Sequence, residues 1–284
     1  MTFSARRIAL ISPGAMGAAF AARLVDAGHA VFTSLDGRGE ASCARAQAAG
    51  MVAAPNAALA GCDILLSIVP PAQAAPLVER LLPHIRAQTR KPLFVDANAL
   101  SPVSKKALAA RLAEVGCAMV DGAIIGPPPT GGPRVTTTFL SGPQAAQAMV
   151  LDVPGCGALL LEGDVGAASA LKMCFGGINK GVVGLASALL RAAHRHGAAD
   201  ALRAEMQRSM PDLFTRYGRQ IPDMVPKAYR WVAEMEEIAA FLGPDDADGA
   251  ALFAAMAGLF AQIEADRQGD GRAIAALERA VTPD

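Results

Sequence analysis

Near the start of the chain, Arg7-Ile8-Ala9-Leu10-Ile11 leads into Ser12-Pro13-Gly14-Ala15-Met16-Gly17 and then into an Ala-rich stretch ending at Gly28. The order is an apolar β-rich run, a tight glycine turn, an amphipathic helix and a helix stop. A helix that starts directly after a sheet strand presents unpaired N–H groups and the positive end of its dipole. A pyrophosphate placed there finds donors and favourable charge together. Gly14 lets a phosphate approach the backbone, and Gly17 lets the helix pack close to the strand. Ser12 stands where the Gly-x-Gly-x-x-Gly fingerprint has its first glycine, a departure that serine accommodates if its φ stays negative. Gly28-His29-Ala30-Val31-Phe32-Thr33-Ser34 supplies a helix stop and a second strand, completing a unit of about 30 residues as the fingerprint requires. The pattern predicts a dinucleotide site formed by Ser12, Pro13, Gly14, Ala15, Met16 and Gly17.

The first half continues as short β-rich runs alternating with Ala-rich helical stretches, the pattern of a parallel sheet covered by helices on both faces. Strands are expected at 7–11, 30–33, 51–53, 63–68, 93–95 and 118–120, with further β-like runs at 135–140 and 158–161. After Gly163 the texture becomes helical: 164–190, 200–210, 226–242, 249–266 and 272–281 carry helical patterns. Pro226 suits a first helical position, and Gly243-Pro244 forms a stop. The reading is an α/β chain with a doubly wound parallel sheet of Rossmann type over 1–163 and an all-helical domain over 164–284 for substrate and dimerisation.

Lys plus Arg equals Asp plus Glu at 26 each, which argues against a nucleic-acid or membrane-surface partner held by bulk charge. No continuous apolar run reaches the roughly 18 residues of a spanning helix. The five cysteines, Cys43, Cys62, Cys117, Cys156 and Cys174, are scattered and form no C-x-x-C pair. They suggest neither a disulfide framework nor a zinc site, and a reduced cytoplasmic setting is expected. His194 and His196, two apart on a helix, face different directions, so no metal site is expected.

The chain resembles the β-hydroxyacid dehydrogenase superfamily, which includes 6-phosphogluconate and 3-hydroxyisobutyrate dehydrogenases, and most closely a bacterial branch with a divergent C-terminal domain. The matching segments are Gly14-Ala15-Met16-Gly17, Ser67-Ile68-Val69-Pro70, Val95-Asp96-Ala97-Asn98-Ala99-Leu100-Ser101-Pro102, Val120-Asp121-Gly122-Ala123 and Gly166-Ala167-Ala168-Ser169-Ala170-Leu171-Lys172. The resemblance implies that Val69 and Pro70 pass beside the adenosine half of a nicotinamide cofactor and that Asn98 lies near the nicotinamide. Both segments also sit where a strand's carboxyl end meets a loop, where open α/β sheets bind ligands.

Lys172 takes the place of the family's catalytic lysine. Hydride transfer makes or breaks an alcohol O–H, so a group must give or take that proton. A lysine in an apolar cleft beside a cationic ring is expected to have a lowered pKa suited to this. Asn179, seven residues on and on the same helix face, is the second catalytic candidate; it stands where the 6-phosphogluconate enzymes use a carboxylate as acid, which disfavours their decarboxylating mechanism. Lys180 is a candidate for an anionic substrate group. Gly176 replaces a family asparagine one turn beyond Lys172. Ile125-Gly126-Pro127 stands where many relatives have Ser-Gly-Gly, so Gly126 is the substrate-loop residue that remains, and the Pro/Gly stretch to Pro133 borders it.

Asp36 is placed to accept from a ribose 2′-hydroxyl, whereas Ser34 and Arg38 are placed for a 2′-phosphate. Similar bacterial proteins carry Gly-Arg-Ser at this turn and this chain has Gly37-Arg38-Gly39, which favours NADP over NAD. The resemblance thus implies an NAD(P)-dependent oxidoreductase acting on a CH–OH group of a small metabolite and working as a homodimer. The alternatives are C=N reduction of the imine reductase kind and a non-catalytic dinucleotide-binding sensor.

Overall fold

A computed structural model describes residues 4–131 and 135–282. Two compact units divide after Lys172. In the first, strands β1 (Arg7–Ile11), β2 (Ala30–Thr33), β3 (Val52–Ala53), β4 (Ile64–Ser67), β5 (Leu93–Asp96), β6 (Met119–Ile125), β7 (Thr136–Ser141) and β8 (Cys156–Leu160) make one sheet ordered β3-β2-β1-β4-β5-β6-β7-β8. Every neighbouring pair is parallel except β6 and β7. Strand order reverses between β1 and β4, and that switch point opens the crevice where such sheets bind ligands.

Alternate residues of the central strands feed two cores, as a sheet buried on both faces requires. Ile8, Leu10, Ile64 and Leu66 pack on one face with Phe20 and Leu24 of α1 (Ala15–Asp26), while α2 (Glu40–Ala48) adds Ala46. Ala9, Ile11 and Leu65 point to the other face. They meet Leu59 of α3 (Asn56–Ala60), Leu77 and Leu81 of α4 (Ala74–Ala87), and Leu108 and Leu112 of α5 (Pro102–Ala113).

The second unit is helical. It holds most of α6 (Ala167–Arg195), then α7 (Ala199–Ser209), α8 (Pro211–Met224), α9 (Ala228–Leu242), α10 (Ala247–Gln268) and α11 (Arg272–Val281). Its core gathers Val183, Leu190, Phe214, Ile221, Met235, Phe260 and Leu277, and Trp231 meets Phe260 edge-on at 5.1 Å between ring centroids.

The structure adds one helix, moves one helix start and adds an observation on α6. The stretch 211–224 forms α8 although Pro211 opens it and Pro222 lies inside its last turn: the first sits where no N–H is needed, and Phe214, Tyr217, Ile221 and Met224 bury one face. Pro226 belongs to a short 3-10 turn at Val225–Lys227, so α9 begins after it. Finally, α6 is by length and composition apolar enough to cross a membrane, although no unbroken apolar run of that length exists in the sequence. Its average passes because few charged residues interrupt it.

Candidate functional site

The glycine turn folds more tightly than expected. Ser12 has φ +82°, overturning the expectation of a negative value, and a side chain costs about 1–2 kcal/mol in that left-handed region. The gain is a close approach: a Cβ at Gly17 would lie 2.2 Å from the Ser12 carbonyl oxygen, so only glycine lets α1 begin there. Gly14 precedes α1 with extended backbone, no side chain caps the helix, and its first turn holds no acid. A Cβ built on Gly14 would meet no heavy atom within 4 Å. Pro13 is fixed by Arg45 of α2, whose Nε donates to the Pro13 carbonyl at 3.0 Å. An uncapped helix start facing open space fits a pyrophosphate.

A polar row crosses the sheet from this turn. Ile11 is in register with Ser67, Ser67 with Asp96, Asp96 with Asp121, and Asp121 with Ser141. From Ile11 to Asp121 is three strand spacings, about 14 Å. Asp96 and Asp121 are fully buried, and Lys105 of α5, also fully buried, lies 2.6 Å from Asp96 Oδ1 and 3.1 Å from Asp121 Oδ1. Its ammonium further donates to the Asp96 carbonyl at 2.6 Å. The helix that delivers Lys105 starts from Ser101, whose hydroxyl accepts from Ser104 N–H at 3.2 Å, with Pro102 in the first turn, a strong start signal.

Asn98 hangs from the same network. Its Oδ1 accepts from Val69 N–H at 2.6 Å, and its Nδ2 donates to Ser67 Oγ at 2.9 Å and Asp96 Oδ2 at 2.7 Å. The whole amide is engaged, so Asn98 fixes the Val69-Pro70 turn at the end of β4. Val69, Pro70 and Arg38 in turn line a cavity of about 170 Å³. Ser34 accepts from Asp36 N–H at 3.4 Å.

The first turn of α6 docks on the far end of the row. Asp121 accepts from Gly166 N–H, Ser169 N–H and Ser169 Oγ, and Ser141 Oγ accepts from Ala168 N–H at 3.0 Å. A carboxylate at a helix N-terminus is favoured by the dipole. Lys172 follows Ser169 by three residues and is half-buried. Further along α6, Asn179 donates from Nδ2 to the Phe175 carbonyl at 2.9 Å and accepts from Arg216 at 2.9 Å. Lys180 pairs with Glu234 at 2.8 Å and lies 5.8 Å from the Trp231 ring centroid. A Cβ built on Gly176 would lie 3.6 Å from Lys180 Nζ, so the Lys180 ammonium packs over this glycine.

Gly126 follows β6, which runs four residues past the row to Ile125. Its φ is +126° and a Cβ would lie 2.8 Å from the Val135 carbonyl, so glycine is obligatory. The following loop is tied to α1 through Arg23 Nε, which donates to the Pro129 carbonyl at 3.0 Å; its end, including Gly132 and Pro133, lies outside the described residues. No cluster of three or more His, Cys, Asp and Glu suited to a metal occurs among the described residues.

A family profile described as the NAD binding domain of 6-phosphogluconate dehydrogenase matches residues 7–153. The chain belongs to this family. A second profile, a domain of unknown function, matches residues 193–263. No curated protein matches the sequence. Among solved structures, one is a conserved protein of unknown function described as structurally similar to 3-hydroxyacid dehydrogenases. It shares 25% identity and a TM-score of 0.77, over 92% of this chain and 98% of that one. Mycobacterium tuberculosis 3-hydroxyisobutyrate dehydrogenase with L-serine shares 19% identity and a TM-score of 0.65, over 93% and 96%. A Myxococcus stipitatus imine reductase variant in complex with NAD+ shares 19% identity and a TM-score of 0.54, over 98% and 100%.

This 6-phosphogluconate dehydrogenase-like chain therefore has a dinucleotide-binding, dehydrogenase-like fold, and a nicotinamide dinucleotide is the cofactor class it suits. The residues that assemble its site were only partly visible in the sequence. Asp96 and Asp121 lay inside matching segments without a role, and Lys105 and Arg45 carried no motif. The available signal was two acids at the ends of apolar strands, which demand a buried cation.

Proposed function

We propose that the protein is an NADP-dependent oxidoreductase that interconverts an alcohol and a carbonyl in a small metabolite, with Lys172 exchanging the hydroxyl proton. One observation carries the reading: the first turn of α6 is docked on the same polar row that supports Asn98 and begins beside the glycine turn. A bound nicotinamide supplies the hydride donor or acceptor. Lys172, nearly one helical turn beyond the Asp121 anchor, gives a proton to the carbonyl oxygen during reduction and takes it back during oxidation. Residues 12–17 bind the pyrophosphate, Asn98 holds the Val69-Pro70 turn along the adenosine half, and Ser34 with Arg38 favours the 2′-phosphate. Gly126 shapes the substrate loop. Asn179 serves to orient Arg216, and Lys180 meets an anionic substrate group only as part of its pair with Glu234.

The working form in this reading is a homodimer joined through α6. Phe175, Ile178, Leu185 and Leu189 are 51%, 66%, 56% and 58% exposed, and at 100° per residue they fall within an arc of about 80°. A long apolar stripe of this kind on one helix is the seam of a helix-helix contact.

Screening the purified protein with NADPH and NADH against aldehydes, ketoacids and cyclic imines tests the function. Turnover of a carbonyl with NADPH supports it. Turnover of imines alone replaces it with C=N reduction, and cofactor binding without any turnover replaces it with a sensor.

A further inference from the structure

We infer that Arg80 is a second specificity residue, reading the ribose 2′-phosphate together with Arg38; this rests on the dinucleotide reading above. The two arginines reach one cavity of about 170 Å³ from different elements, Arg38 from the loop after β2 and Arg80 from α4. Pro76 and Leu77 join Val69 and Pro70 as its apolar wall. That combination has a definite chemistry. Prolines and aliphatic side chains accept the face of a purine, a guanidinium stacks on the other face, and two guanidinium groups grip a dianion in a bidentate way.

The acids nearby are directed elsewhere. No carboxylate lines the cavity among the described residues. Glu79, next to Arg80 in sequence, pairs instead with Arg111 at 2.7 Å. Asp36, which would serve a free ribose 2′-hydroxyl, is exposed and absent from the lining. Two arginines facing a cavity without an acid repel each other until an anion enters. A phosphate relieves that repulsion, whereas an unphosphorylated ribose leaves it standing.

Isothermal titration of the full chain with NADPH and with NADH, which differ only in the 2′-phosphate, tests the assignment without any turnover. The wild type should bind NADPH about tenfold more tightly or better. Arg80→Ala should abolish most of that preference while leaving NADH binding nearly unchanged, and Arg80→Lys should restore part of it. A full preference in Arg80→Ala, or a wild type that prefers NADH, would overturn the role of Arg80 while leaving the dinucleotide site intact. Failure of the wild type to bind either nucleotide would overturn the dinucleotide reading itself.

Discussion

Asp121 accepts from the Ser169 hydroxyl at 2.7 Å and from the Ser169 N–H at 2.9 Å, which clamps the start of α6 to the centre of the sheet. The clamp matters because Asp121 is itself gripped by Lys105, which also grips Asp96, and Asp96 holds Asn98. One continuous set of buried hydrogen bonds thus ties the Val69-Pro70 turn to the helix that carries Lys172. Such a network fixes geometry only while every member is satisfied.

Removing its cation exposes that dependence. Lys105→Met leaves two buried carboxylates facing each other, and breaking a buried ion cluster this way costs about 3–5 kcal/mol. Chemical denaturation should show a clearly lower midpoint for the variant. A midpoint equal to that of the wild type would mean that the cluster does not hold the fold.

Ser12→Gly should act in the opposite direction. Glycine adopts φ +82° without the steric penalty of serine, and the greater freedom of the unfolded chain takes back part of the gain. A net stabilisation of about 1 kcal/mol is expected, read as a rise in thermal midpoint. Gly17→Ala, whose methyl collides with the Ser12 carbonyl, should abolish nucleotide binding or folding.

The buried thiols set an alkaline limit. Burial pushes Cys62 and Cys117 up from 9.0 to about 11 and Cys156 to about 12. The folded state therefore keeps protons that the unfolded chain releases above pH 9. Stability is fully present below that value and declines as pH rises toward 11–12, by at most about 1.4 kcal/mol per pH unit for each thiol. At pH 8 a thiol reagent should label exposed Cys174 and half-exposed Cys43 and spare the other three. Rapid labelling of Cys156 in the native protein would contradict this burial.

Charge placed on the α6 stripe should break the proposed dimer. Sedimentation of Leu185→Glu/Leu189→Glu should give a monomer with unchanged far-ultraviolet circular dichroism, against a dimeric wild type. A monomeric wild type would remove the proposed seam, and association only with lipid vesicles would assign the face to a membrane.

Much of the sheet was legible because buried parallel strands are short apolar runs that stop at Gly or Pro; β1 and β2 fall where the sequence places them. β6 is the instructive miss. Asp121-Gly122 looks like a turn, yet the strand runs on to Ile125 because Lys105 neutralises the acid and Gly122 packs where a Cβ would lie 3.2 Å from the Asp96 carbonyl. The site divides in the same way. The glycine turn is a local pattern and can be read directly. Lys105 looks like any solvated helix lysine, and only the pairing of β5 with β6 brings its two partners together.

The proton role of Lys172 is the claim on which the functional account turns. Steady-state kinetics of Lys172→Ala on a carbonyl substrate from the panel, alongside titration with NADPH, tests it most directly. The account predicts turnover lowered about 10²–10⁴-fold with cofactor affinity nearly unchanged. Turnover equal to that of the wild type would contradict it.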